Sequence, residues 1–326
     1  MPIENLPQIL PLEELSEVEE RLQASLTSEV PIVNELGSYL SQSGGKRLRP
    51  ALAILFYKLL GGQGDHETLI EMATVLELIH LATLVHDDVI DESVERRGRP
   101  ALWTVRGNRI AVLQGDFIFS RVFAILNRQR ARLRFLITDT VEEILEGELL
   151  QEELRWRIPT EAEYFEVIRR KTAALISAAC TVGALIGAPR ISEEQSQQVR
   201  QAGLKLGIAY QMADDLLDIF GDGHLGKPRW KDRDEGWITL PYVRLLTAVD
   251  GEDQERLRLL LQAEELTAAE REGLLRQFAA YNIKESFTAE ARALVIEAKR
   301  LLSGLGESEL KGLLLGMMDF AVERDR

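Results

Sequence analysis

Two short aspartate runs are the first candidates for chemistry. Residues 87–91 read Asp87-Asp88-Val89-Ile90-Asp91, and residues 214–218 read Asp214-Asp215-Leu216-Leu217-Asp218. Each has the form Asp-Asp-x-x-Asp. On a helix, residues i and i+4 share a face, so Asp87 pairs with Asp91 and Asp214 with Asp218. Both runs adjoin apolar sequence. Leu76 to Val85 precedes the first, and Ala209, Tyr210, Met212 and Ala213 surround the approach to the second. Carboxylates crowded in such surroundings repel one another and resist desolvation, so either their pKa values rise or a cation joins them. Oxygen-only ligands suit a hard cation, and Mg²⁺ binds through a few carboxylates plus substrate phosphate. One such run reads equally well as a solvated acidic helix face. Two copies beside apolar helix favour metal and phosphate chemistry.

Basic residues answer the acidic ones. Gly44-Gly45-Lys46-Arg47-Leu48-Arg49-Pro50 places three cations after a flexible Gly pair, and Arg96-Arg97-Gly98-Arg99-Pro100 follows the first aspartate run. Lys171-Thr172 and Gly226-Lys227 supply further donors. Arginine presents a planar fork to phosphate and lysine a point charge. Any one cluster alone would be surface charge at a turn. Gly44-Gly45 is not a P-loop, because the Gly-Lys-Ser/Thr ending is missing.

The elements that must position these residues read as helices. Helical periodicity and good helix formers fill 12–43, 50–60, 67–92, 107–127, 133–156, 161–187, 193–219, 237–248, 253–262, 268–280, 287–303 and 308–322. Thr160-x-x-Glu163, Ser192-x-x-Gln195 and Thr267-x-x-Glu270 each fit a capping box. No alternating β-branched run predicts a sheet. The expectation is an all-α fold, a single domain over 1–326 of more than ten helices, with 250–326 as a more charged, peripheral helical tail. The net charge of −14 excludes a global basic footprint for nucleic acid. The apolar stretch 72–90 carries Glu77, His80, His86, Asp87 and Asp88, which argues for a buried helix and against an integral membrane segment. The N-terminus shows no secretion signal. One cysteine, Cys180, in a small-residue run, cannot make an intrachain disulfide and fits a cytoplasmic, reducing setting.

Together the motifs resemble the trans-isoprenyl diphosphate synthases, the polyprenyl synthetase family. The similarity covers residues 30–245 well and the tail weakly. It rests on the Gly44–Pro50 run, the first aspartate run with Arg96-Arg97-Gly98, Gly115-Asp116-Phe117, Glu146-Gly147-Glu148, Lys171-Thr172-Ala173, Gln211 before the second aspartate run, and Thr239-Leu240-Pro241. The resemblance implies an isoprenoid synthase fold around a deep central cavity, a homodimer, and several Mg²⁺ ions. Asp87, Asp88, Asp91, Asp214, Asp215 and Asp218 are the implied metal residues, with Asp87, Asp91 and Asp214 the direct ligands. Arg96, Lys171, Thr172, Gln211 and Lys227 would hold the allylic diphosphate. Lys46, Arg49, His80 and Arg97 would hold isopentenyl diphosphate. The small residues Ala82 and Thr83, just before the first run, imply a long-chain product. Phe117, Phe119 and Phe123 are candidates for a deeper floor.

The family pattern is broken in two places. Trp230 stands where Gly-Lys-x-x-Gly-x-Asp has its second glycine. Trp237 stands where Glu-Gly-Lys-x-Thr has its lysine, which helps bind the allylic diphosphate; Lys231 or Arg229 is the candidate substitute. Three other readings compete. A class I terpene cyclase shares the fold, but its second metal site mixes Asn or Asp with Ser or Thr and Glu. A metal phosphohydrolase would use His86-Asp87, in a chain with only four histidines. A non-catalytic partner subunit would be expected to lose aspartates, and none is lost; a subunit active only with a different partner chain is the related alternative.

Overall fold

A computed structural model of the 326-residue chain describes residues 13–42, 44–221, 229–305 and 308–322. The fold is all-α. The chain divides into two compact units. One comprises Met1–Val141, Leu175–Gly203 and Leu302–Leu314; the other comprises Glu142–Ala174, Leu204–Leu301 and Leu315–Arg326.

In chain order the helices are α1 (Glu14–Ser25), α2 (Pro31–Ser41), α3 (Leu48–Leu59), α4 (His66–Ile90), α5 (Leu102–Arg106), α6 (Asn108–Leu126), α7 (Ala131–Glu153) and α8 (Glu161–Ile168). After a π-helical turn, Arg169–Ala173, come α9 (Ala174–Gly187), α10 (Glu193–Phe220), α11 (Lys231–Asp234), α12 (Leu240–Ala248), α13 (Gly251–Leu261), α14 (Ala268–Ala280), α15 (Ile283–Leu301) and α16 (Glu309–Val322). The capping boxes form at Thr160 and Thr267, where each hydroxyl accepts from the third-residue amide and the glutamate returns the bond. Ser192 and Gln195 exchange the same pair of bonds.

In the first unit, α4 is covered on most sides. Met72, Leu76, Leu78, Ile79 and Ala82 are fully buried. This helix is long and apolar enough to cross a membrane by composition alone, but 67% of its most apolar window is buried inside the protein. In the second unit, Trp230, Tyr242, Leu245, Leu261, Leu274 and Phe278 form the core. The charged segment after residue 250 therefore contributes several of its buried side chains.

Three features were not anticipated from sequence. Glu95–Arg96 and Arg99–Pro100 form a two-residue antiparallel hairpin, against the expectation of no strand. Its turn has positive φ at both Arg97 (54°) and Gly98 (73°), the conformation that matches strand twist in a two-residue loop. The predicted helix 161–187 is broken by the π turn. The two short helices α5 and α11 lie outside the predicted helical ranges.

Candidate active site

The first aspartate run closes α4. That helix starts on Asp65, whose carboxylate accepts from the Thr68 amide at 2.9 Å. Its last turn carries Asp87 and Asp88, and the Asp91 amide donates to the Asp87 carbonyl at 2.7 Å. A helix C-terminus is the negative end of the dipole. Three carboxylates there are unfavourable unless positive charge offsets them. Arg96 supplies part of it: its Nε and Nη2 reach Asp88 Oδ1 at 2.7 and 2.5 Å. Asp88 is 5% exposed, so this pair is largely desolvated. Asp87 and Asp91 are half-buried.

The hairpin also orients the basic loop. Arg97, next to Arg96, donates to the Gly44 carbonyl. Arg47, at φ 49°, precedes α3 and is held internally by Glu19 (2.8 Å) and Glu77 (2.7 Å). Lys46, Arg49 and His80 are half-buried. Burial, then Arg49, Arg97 and Arg96, push the His80 imidazole well below its ordinary pKa. A neutral imidazole among guanidinium groups suits an anion with several acceptor oxygens.

Ala82 is fully buried on α4; Thr83 is half-buried and its hydroxyl donates to the His80 carbonyl at 3.0 Å. His86 Nε2 lies 3.2 Å from the Val112 carbonyl of α6, and its ring meets Phe119, which stacks on Phe123. Gly115 permits this, since a Cβ there would stand 2.1 Å from His86 Nε2. His86 thus serves a helix–helix contact. Phe117 lies under the Arg121 guanidinium at 4.7 Å.

In the second unit the π turn presents Lys171 and Thr172. Such turns occur frequently at functional sites. Two glycines let neighbouring helices approach it. A Cβ on Gly147 of α7 would stand 2.6 Å from the Lys171 amide nitrogen, and one on Gly207 of α10 would stand 2.4 Å from Ala173 Cα. The first approach brings Glu148 to Lys171 Nζ at 2.6 Å. The second brings Gln211, one turn after Gly207, to Thr172, whose hydroxyl donates to Gln211 Oε1 at 2.9 Å.

The second aspartate run lies in the last two turns of α10. Asp215 is fully buried and accepts from Gln211 Nε2 at 2.8 Å and Tyr164 Oη at 2.5 Å. Asp218 Oδ1 accepts from the Lys231 amide at 2.9 Å, while Oδ2 is buried with no hydrogen-bond partner among the described residues. Burial and then Asp232 push the Asp218 carboxyl up to about 9; the same two causes raise Asp215 well above the carboxylate range. Asp232 itself is raised to about 6 by burial and Glu235.

The run therefore gathers buried carboxyl groups, one with an oxygen unsatisfied among the described residues, at the negative end of a helix. Its donors are all oxygen, which fits a hard divalent cation. Among the described residues no three His, Cys, Asp or Glu side chains form a ready metal cage.

Lys227 lies outside the described residues. Neither candidate substitute for the missing lysine is uncommitted: Arg229 donates to the Ile219 carbonyl at 3.1 and 2.7 Å, and Lys231 pairs with Glu235 at 3.3 Å. Glu148, Tyr164 and Asp232 were not among the sequence candidates. Glu148 and Asp232 were visible inside quoted motifs. Tyr164 had no signal beyond the apolar face of α8.

An all-α enzyme with two Asp-Asp-x-x-Asp helices and basic loops in the same chain is the class that this fold and these residues define. Residues 30–277 match the family model described as polyprenyl synthetase, and the chain belongs to that family of prenyltransferases. Heptaprenyl diphosphate synthase component 2 of Geobacillus stearothermophilus is 35% identical over 321 residues, 96% of each chain. A short chain isoprenyl diphosphate synthase of Methanothermobacter thermautotrophicus is also 35% identical, over 316 residues, 94% of this chain and 95% of that one. Among solved structures, a decaprenyl diphosphate synthase from Rhodobacter capsulatus matches with TM-score 0.91 at 33% identity, covering 100% of both chains. A polyprenyl synthase from Caulobacter crescentus, complexed with calcium and isoprenyl diphosphate, matches with TM-score 0.90 at 30% identity, covering 100% of this chain and 98% of that one.

Proposed function

We propose that this chain condenses an allylic diphosphate with isopentenyl diphosphate head to tail, using Mg²⁺, and repeats the step to a long all-trans polyprenyl diphosphate. The observation that carries the reading is the presence of all six motif aspartates, with Asp218 Oδ2 buried and unsatisfied among the described residues at the end of α10. The whole chain is read as one polyprenyl synthetase domain, which the match over 30–277 supports.

Asp87, Asp91, Asp214 and Asp218 would contact Mg²⁺, with Asp88 and Asp215 contributing to the same clusters. Mg²⁺ held by these carboxylates would supply positive charge to the departing diphosphate. Arg96, Lys171 and Lys227 add positive charge to that group, and Thr172 and Gln211 add hydrogen bonds. Lys46, Arg49 and Arg97 bind isopentenyl diphosphate, with neutral His80 contributing a hydrogen bond. The apolar helices keep water from the allylic cation. The released diphosphate takes the proton lost after attack by the isopentenyl double bond.

The small Ala82 and Thr83 support a long product. Exposed Leu113 and Phe123 on α6, 63% and 55% accessible, support association through this helix. We read this as a homodimer in the cytoplasm. The name "component 2" of one relative favours a second case, activity only with a different partner chain.

The test is incubation of the purified chain with labelled isopentenyl diphosphate, Mg²⁺ and dimethylallyl, geranyl, farnesyl or geranylgeranyl diphosphate in turn. A Mg²⁺-dependent ladder ending in one long product is expected. No elongation from any starter, with the chain alone at any oligomeric state, would overturn the reading of a self-sufficient synthase.

A further inference from the structure

Asp215 differs from its neighbours in the second aspartate run. It is 0% exposed, and each of its oxygens already accepts a protein hydrogen bond. A continuous series runs from the π turn to α8: Thr172 Oγ1 to Gln211 Oε1 at 2.9 Å, Gln211 Nε2 to Asp215 Oδ1 at 2.8 Å, and Tyr164 Oη to Asp215 Oδ2 at 2.5 Å. A carboxylate so placed is poorly situated to face a solvated ion. It is well situated to fix the rotation of α10 from behind.

The Tyr164 ring is itself fixed on two sides. Trp237 stacks on it, with centroids 6.2 Å apart and planes 13° from parallel, and Phe165 meets it edge-on at 5.4 Å. Trp237 is only 7% exposed. Its loop is pinned: its amide donates to the Asp232 carbonyl at 2.8 Å, and the Trp156 amide donates to the Gly236 carbonyl at 2.8 Å. Trp237 occupies the position of the lysine in the family pattern. A lysine has no ring to stack on a phenol, so this chain has exchanged a cation for a wall.

We propose that Tyr164 and Trp237 are positioning residues: the phenol holds Asp215 as an internal anchor, and the indole holds the phenol. Asp214 and Asp218 are then presented by a helix whose register is locked. The inference rests on the synthase reading for its chemistry, but its geometry belongs to this unit alone.

The test compares Tyr164→Phe, which keeps the ring and removes the hydroxyl, with Trp237→Leu, Trp237→Phe and the double variant Tyr164→Phe/Trp237→Leu. Two readouts are taken: the rise in Tm produced by MgCl₂ with inorganic diphosphate, and kcat with the KM of each substrate. Loss of a hydrogen bond to a buried carboxyl group predicts that Tyr164→Phe lowers kcat about tenfold, moves the isopentenyl diphosphate KM by less than about twofold, and shrinks the Mg²⁺–diphosphate rise in Tm. Trp237→Leu loses less in the same direction, Trp237→Phe is near wild type, and the double variant is no worse than Tyr164→Phe alone, because both act through one contact.

Wild-type kcat and a wild-type rise in Tm in Tyr164→Phe would overturn the proposal. So would multiplying losses in the double variant. Should Tyr164→Phe fail to fold, equal Tm rises in Trp237→Phe and Trp237→Leu overturn it. A wild-type chain that gains Tm with Mg²⁺ and diphosphate yet elongates nothing counts against the synthase reading, and the anchor is then judged on Tm alone.

Discussion

Glu148 and Lys171 form an ion pair, Oε2 to Nζ at 2.6 Å, that exists because the residue between Glu146 and Glu148 has no side chain. A Cβ on Gly147 would stand 2.6 Å from the Lys171 amide nitrogen and 2.9 Å from Arg170 Cβ. Neither atom is the free end of a flexible chain, so Gly147→Ala must push α7 away from the π turn. A misplacement of roughly 1 Å costs up to about a hundredfold in rate. We expect Gly147→Ala to lower kcat by about tenfold or more, with folding retained by circular dichroism. An unchanged kcat would remove Lys171 from the proposed machinery.

Ala82→Tyr is expected to shorten the product. The position is fully buried on α4, five residues before Asp87, and a phenol there adds bulk about one helical turn from the carboxylates. Chromatography of the products from wild type and variant checks this. The same chain-length distribution from an active variant would sink the assignment.

Trp230 holds a backbone conformation suited to glycine, φ 71°, yet its side chain is 4% exposed and packs on Tyr242 at 6.2 Å. Trp230→Gly relieves about 1–2 kcal/mol of left-handed strain. It also deletes a buried indole, at about 3–5 kcal/mol. Packing therefore outweighs strain, and the variant should be less stable than wild type, read as a lower midpoint in urea unfolding. An equal or higher midpoint would show that the indole contributes little.

His80 supplies a pH dependence. Burial and four arginines, Arg49, Arg97, Arg96 and Arg47, lower its folded pKa, while the unfolded chain keeps the ordinary value near 6.5. The unfolded state then binds the extra proton first. The contribution is fully present above about pH 6.5 and is lost as pH falls towards the folded pKa. Between pH 7.5 and 5.5, wild type should lose more Tm than His80→Asn. Parallel curves would mean that His80 is not held neutral.

Removal of divalent metal should abolish elongation and lower Tm, and added Mg²⁺ should restore both. The larger restoration is expected with diphosphate present, because the carboxylates form no closed cage among the described residues. Metal-independent elongation would contradict the role given to both aspartate runs.

The long helices were legible because 3.6-residue periodicity and capping boxes are local. Thr160, Ser192 and Thr267 begin helices as read. The aspartate runs were legible because i and i+4 share a face wherever the helix lies. The hairpin at Arg97-Gly98 was missed because two-residue strands carry no period. The π turn was missed because Arg169–Ala173 reads as ordinary helix until Gly147 and Gly207 are packed against it.

Residue types and spacings by themselves determined the helical class, the two acidic clusters, the basic loops that answer them and the family pattern with its two tryptophan departures. Those properties depend on neighbours along the chain. Only the tertiary structure decided which charges are already spent: Arg47 on Glu77, Arg229 on a carbonyl, Asp215 on Tyr164 and Gln211. It also decided that Trp237 stacks where a lysine would have carried charge. Four of these pairings join residues 10 to 73 positions apart, and the fifth, Gln211 with Asp215, spans one turn of α10. Their energies depend on burial and distance, which no local spacing encodes.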